Sequence, residues 1–232
     1  ASVGSKVVVA GGNASGKAAN KVFYIDTATD KQWKQLADFP SEARVQPVLA
    51  AIEKENDTLL YVLGGFFGGD ATKAPTMGEK VLAFSLKQQQ WQEVGVQESP
   101  NKEIFSLTGA TALAIDNRYI ACFGGVNHRL FINTITDLYH LGKDTTLTDE
   151  QRKQKNYDYM SHYMTQPIEY YQFNKECYLF DTHSQQWSVL DTQADFARAG
   201  ATLVGTPAEF YLVQGELKPG VRSPKTYRLK IN

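Results

Sequence analysis

Near the end of the chain an acid and an arginine stand on either side of a Pro-Gly turn, in Gly215-Glu216-Leu217-Lys218-Pro219-Gly220-Val221-Arg222. The turn makes this stretch a loop rather than a helix and can fold its two ends toward one another. An Arg guanidinium forms a two-point clamp on a ligand carboxylate. A Glu held beside it, partly desolvated, could have a raised pKa and exchange protons with a sugar hydroxyl. The same spacing suits a plain surface ion pair, and the residues alone leave both readings open. Other reactive side chains form no such group. His128, His140, His162 and His183 lack zinc spacing, and no His or Cys stands at ligand distance in sequence from Cys122 or Cys177. No metal and no cofactor is expected.

The elements that must carry this loop are legible as a repeat. Four runs of β-formers stop at a small, turn-forming pair: Val7 to Gly12, the stretch holding Tyr61 and Gly65, Ile120 to Gly125, and Phe210 to Gly215. A glycine at such a position accepts positive φ at no steric cost. A second strand follows each: Lys21 to Asp26, Lys80 to Ser85, Glu176 to Asp181 and Lys225 to Lys230. Three units then add a tryptophan strand, around Trp33, Trp91 and Trp187, and a small-residue strand begins at Arg44, Leu107 and Arg198. A period of roughly 50 residues with these marks is the signature of a kelch β-propeller. Each unit is one four-stranded blade, small-residue strand innermost, and no blade buries both faces without a neighbour. The fold expected is all-β, one propeller domain over 1–232.

The bulk numbers agree with a packed core and exclude several partners. The chain has 232 residues, 42% hydrophobic, and a formal net charge of −1. Nothing in that balance attracts nucleic acid or an anionic membrane, and no apolar stretch approaches the roughly 20 residues of a transmembrane helix. The opening ASVGSK runs straight into a strand, which says little of compartment because leaders are removed. Cys122 and Cys177 fall on neighbouring strands of one blade. They are either two buried free thiols or a cross-strand disulfide, which needs Cα atoms within about 7 Å.

Two irregularities stand out. The first unit opens at its second strand, with no innermost strand, and the last has no tryptophan strand. About two further blades are therefore expected from an upstream segment, a second polypeptide or a symmetry mate, since open blade edges invite aggregation. The third unit carries an insertion, residues 128–175, of about 50 residues where the others need far fewer. Thr146 to Met164 reads as helix, with Thr148 as cap, Asp149 and Glu150 in the first turn, and Pro167 ending it. PIEYYQF can add one more turn. Tyr157, Tyr159, Met160, Tyr163 and Met164 form a stripe that either packs, covers an axial pocket or meets another subunit.

Several segments together resemble one family. Gly124-Gly125-Val126-Asn127, the insertion with Gly142-Lys143-Asp144, Tyr170 to Lys175, Thr182 to Trp187 and above all Gly215 to Arg222 are similar to N-acetylneuraminate mutarotases, also called epimerases. That resemblance implies a six-bladed kelch propeller, of which about four blades are present, in the order of a circularly permuted branch. It implies an isomerase that interconverts the α and β anomers of free sialic acid in the periplasm. The family's proton acceptor falls on Glu216 and its functional arginine on Arg222. The substrate is a small sugar acid, with Arg222 on its carboxylate.

Three further contacts follow. Arg44 and Arg198 begin inner strands, so each can enter the axial channel or serve as a structural hydrogen-bond hub. Asn127 sits at the rim, where it can meet the N-acetyl or glycerol group or stabilise a turn. The rival function is a non-catalytic kelch scaffold that binds protein through its loops. A sialidase would carry Ser-x-Asp-x-Gly-x-x-Trp boxes, which are absent, and a copper radical oxidase would need grouped Tyr, Cys and His ligands.

Overall fold

The computed structural model describes residues 1–206 and 209–230. The first blade holds β1 (Ser2–Val3), β2 (Lys6–Ala10), a small hairpin of β3 (Asn13–Ala14) and β4 (Lys17–Ala18), then β5 (Val22–Asp26) and β6 (Lys34–Gln35), its sheet running β1-β2-β5-β6. The second holds β7 (Val45–Lys54), β8 (Asp57–Phe67), β9 (Thr76–Met77), β10 (Lys80–Ser85) and β11 (Gln90–Val96), with the sheet β7-β8-β10-β11 and β9 hairpinned onto the end of β8. In the third, β12 (Thr111–Ile115) and β13 (Tyr119–Phe123) lead to helices α1 (His128–Lys143) and α2 (Asp149–Thr165), then β14 (Glu176–Asp181) and β15 (Gln186–Thr192). The fourth has β16 (Thr202–Thr206), β17 (Glu209–Val213), the hairpin β18 (Glu216–Lys218) and β19 (Val221–Arg222), and β20 (Thr226–Leu229).

Alternation along each strand divides its side chains between two neighbours. On β10, Val81 and Ala83 enter the core shared with the third blade, while Leu82 and Phe84 enter the core shared with the first. On β13, Ile120 and Cys122 face the second blade, and Ala121 and Phe123 face the fourth. Fully burying a side chain of this size stabilises by about 1.5–3 kcal/mol, so blade contacts, not single sheets, hold the fold. The tryptophans join blades as well. The Trp91 indole N–H donates to Ala37 O and that of Trp187 to Val96 O, both at 2.9 Å. Phe39 and Phe105 meet those rings edge-on.

The glycine pairs do more than turn. Gly11, Gly12, Gly64, Gly65, Gly124 and Gly125 all have positive φ, and each pair abuts the segment leading into the next blade's inner strand. A Cβ on Gly64 would lie 2.6 Å from the Leu107 carbonyl carbon, and one on Gly124 would strike the Arg198 carbonyl oxygen. The amides of Gly12 and Gly125 donate to Arg44 O (2.7 Å) and Arg198 O (2.8 Å). Residues at or just before the starts of the inner strands form a relay from blade to blade. Gly109 N donates to Gln46 O and Gly200 N to Gly109 O, with all three residues left-handed.

Several expectations need correction. The first blade does have an innermost strand: β1 pairs Ser2 with Val7 and Val3 with Lys6 around Gly4. Two residues are too few for a small-residue pattern to show. Pairing near Trp33 is limited to Lys34–Gln35, and Trp33 itself is half exposed. In the third unit pairing of the inner strand begins at Thr111, because Leu107 to Ala110 form the bend. The first half of the insertion is a further helix with no clear sequence signal, since Ile132, Thr134, Ile135 and Thr136 depress helix propensity. The second helix forms as expected, with Thr148 and Gln151 in a reciprocal capping box, and Ile168–Tyr171 adds a 3-10 turn. Its Tyr/Met stripe does not form a core. Tyr157 and Met164 are exposed, and only Tyr163 among them joins the small apolar cluster under the helices.

The two cysteines are free and buried. Phe123 pairs with Cys177 and Cys122 with Tyr178, so the thiols lie on opposite faces of the sheet. Burial pushes the Cys177 thiol up to about 12 and that of Cys122 well above its ordinary range.

Two outcomes follow from the blade joints. Gly64→Ala, which adds a Cβ against Leu107 in a left-handed backbone, lowers unfolding free energy by on the order of 2–3 kcal/mol in denaturant melts. Gln214 is left-handed with φ 54°, and Gln214→Gly raises stability by roughly 0.5 kcal/mol. A thiol reagent at pH 8 labels neither cysteine in the folded protein and both after denaturation.

Candidate functional site

All the connections that follow the turn-forming pairs, three Gly-Gly and one Gln-Gly, open on one rim, because successive strands of a blade are antiparallel. Three of the four are hairpins with the same beginning. The residue directly after the glycine pairs across to the returning strand: Asn13 with Ala18, Phe66 with Met77, and Glu216 with Arg222. The fourth connection is the helical insertion. The charged pair thus occupies a slot that the fold builds repeatedly and fills with ordinary residues elsewhere.

The slot in the last blade is fixed by its backbone. Glu216 N donates to Ala199 O at 2.7 Å and Ala199 N to Glu216 O at 3.0 Å. Ser223 N donates to Gly215 O, and Gly220 (φ 75°) after Pro219 closes the turn. The Lys218 ammonium donates to Gln166 O at 2.7 Å and Met164 O at 3.3 Å, tying the hairpin to the end of α2. Sequence reading missed this role for Lys218, because its partners are backbone carbonyls about 50 residues away, and no pattern of residue types records them.

Glu216 and Arg222 converge. One guanidinium nitrogen, Nη2, lies 3.3 Å from Glu216 Oε1. The acid's side chain is 32% exposed and the arginine's 67%. An ion pair this open contributes at most about 1 kcal/mol, so a competing carboxylate can displace it readily. The contact is single rather than forked, which leaves further guanidinium N–H donors for a ligand.

The two inner-strand arginines have the hub role. Arg44 is buried, and its Nη1 donates to Gly64 O at 3.1 Å and Lys80 O at 3.2 Å. Burial brings its guanidinium down to about 10. Arg198 is also buried. Its Nε donates to Asp195 O and its Nη1 to Gln214 O at 2.7 Å, and its guanidinium lies over the Tyr227 ring. These bonds hold the strand two residues behind Glu216, so Arg198 acts on the site through the backbone. Of the two, Arg44 also lines a cavity of about 360 Å³ with Glu42, Thr76 and Glu79. Asn127 likewise stabilises a terminus: its Oδ1 accepts from Leu130 N as the N-cap of α1. Among the described residues no group of three or more His, Cys, Asp or Glu could hold a metal. His128 instead meets Glu79 at 2.9 Å.

Blades joined face to face, with a charged hairpin on one rim, define a β-propeller, and the comparisons agree. The solved structure of YjhT superposes with a TM-score of 0.77 over 97% of this chain and 60% of that one, at 27% identity. The N-acetylneuraminate epimerases of Shigella flexneri serotype 5b (strain 8401) and of Escherichia coli (strain K12) are each 31% identical over 215 residues, 92% of this chain. The family model for N-acetylneuraminate epimerase matches residues 1–232, and the chain belongs to that family. It spans about half the length of these curated relatives, 53% in each case.

Arg198→Met leaves the carbonyls of Asp195 and Gln214 without this donor. It lowers unfolding free energy by on the order of 3 kcal/mol, read from denaturant midpoints, and Lys at 198 restores only part of it.

Proposed function

We propose that this protein interconverts the anomers of free sialic acid. The observation that carries the reading is the Glu216–Arg222 pair, opposed across a short hairpin and open to a ligand. Membership of the epimerase family supports it. Sialic acid bears its carboxylate on the anomeric carbon, beside the ring oxygen and the anomeric hydroxyl. Arg222 takes that carboxylate through its free donors, which releases Glu216 from the ion pair. The Glu216 carboxylate then accepts the proton of the anomeric hydroxyl. As the carbonyl forms, the bond from the anomeric carbon to the ring oxygen breaks, and that oxygen takes a proton from water. Rotation about the former ring bond between the ketone carbon and the adjacent methylene exposes the other face of the ketone. The hydroxyl re-adds there, water takes its proton, and Glu216 returns its own to the new anomeric oxygen. Atoms and charge balance without redox change.

Both side chains are partly open to solvent, so their replacement leaves the fold intact. Glu216→Gln slows anomer exchange at least about 100-fold at an unchanged melting midpoint. Arg222→Lys keeps the charge but loses the fork, and kcat/KM falls roughly tenfold or more. Both are read by NMR of freshly dissolved sialic acid, following the anomer ratio as it relaxes with the full-length protein. A Glu216→Gln variant with undiminished rate overturns the reading.

A further inference from the structure

A second cleft, of about 800 Å³, lies on the same rim beneath the insertion. Its size is that of a small-molecule site. One wall is the first turn of α1, another is the segment 172–176, and Ser99 to Phe105 close the third side. Neither Glu216 nor Arg222 lines it, although Leu217 between them does. The cleft thus adjoins the hairpin without including the charged pair.

The lining is chemically specific. The Phe105 and Tyr178 rings stack at 3.8 Å, 10° from parallel, and are both buried, which fixes Tyr178 rigidly in the lining. Tyr178 is 7% exposed, yet its hydroxyl makes no hydrogen bond among the described residues. Burial, then the nearby Glu176 and Glu103 carboxylates, hold its ionisation far above the ordinary range, so it stays a donor. At the other end stands the N-terminus of α1, the positive end of a 16-residue helix. Its first turn contains no acid and carries His128 and Arg129. Every other arginine of the chain has a hydrogen-bond or ion-pair partner, as Arg118 has in Asp181 and Arg228 in Glu209. Arg129 has none among the described residues. Arg129 is exposed at the positive end of the helix, a place where an anion is favoured. Glu103 and Glu176, also without ion pairs among the described residues, supply acceptors for hydroxyl groups.

We propose that this cleft is a binding site for a polyhydroxylated carboxylate, distinct from the Glu216–Arg222 pair. The ligand's carboxylate lies at Arg129 and the free amides of α1. Its hydroxyls meet Tyr178, Glu103 and Glu176.

The test is titration of N-acetylneuraminate, to about 10 mM, into Glu216→Gln/Arg222→Gln protein by NMR and calorimetry. That background removes the anomer-exchange pair, so binding there is independent of the reading above. The expected result is one molecule bound per chain. Arg129→Glu weakens it at least roughly tenfold, while the acid at a helix start raises or preserves the melting midpoint. Tyr178→Phe, which keeps the ring, weakens it about fivefold, and the methyl ester of the sugar binds at least roughly tenfold less tightly than the acid. No binding to the double variant, equal binding by the Arg129→Glu protein, or equal binding of the ester each overturns the proposal.

Discussion

Close approach of backbone to backbone between blades is the constraint on which the rest depends. At the end of the second strand in each of the first three blades the chain turns left-handed, and the following blade's backbone occupies the space a Cβ would fill. Only glycine satisfies both conditions at Gly64 and Gly124. The amides freed by the turn reach across to Arg44 O and Arg198 O. The carbonyl of the residue preceding Gly65, in turn, accepts from the Arg44 side chain. A blade is therefore fastened to its neighbour by backbone bonds at the rim and by apolar side chains below it. That fastening sets where the rim hairpins stand.

The chemistry inherits this placement. Glu216 follows such a turn directly and is held by two backbone bonds to Ala199, which belongs to the segment entering the inner strand. Arg198, one residue earlier, is buried and holds Gln214. Lys218 anchors the far end of the hairpin on the insertion. A pair of half-exposed side chains thus rests on a backbone bound on three sides. The slot is ordered while the charges in it stay mobile enough to exchange partners.

Much of this could be read in the residues, and the reasons for the remainder are physical. The repeat was visible because glycine at positive φ, tryptophan and small inner residues are type-specific requirements. The capped helix α2 was visible because Thr148, Asp149, Glu150 and Gln151 announce it locally. By contrast, α1 was hidden by β-branched residues, and its packing on Phe66 through Phe131 is tertiary. The two-residue β1 had too little length for any pattern. The convergence of Glu216 and Arg222 followed from Pro219-Gly220, but the hub role of Arg44 and Arg198 depended on carbonyls that carry no residue signature. The cleft beside Tyr178 has no local signature because its walls come from five separated segments.

The hairpin register has an evolutionary consequence. In three blades the position after the glycine faces the same partner position, yet it bears Asn13 with Ala18, Phe66 with Met77, or Glu216 with Arg222. Since the backbone pairing of each socket does not depend on the side chains of the facing pair, those two can be exchanged without re-engineering the blades. A mouth surrounded by such interchangeable sockets can acquire a new reactivity by altering two side chains, while every joint beneath it stays as it was.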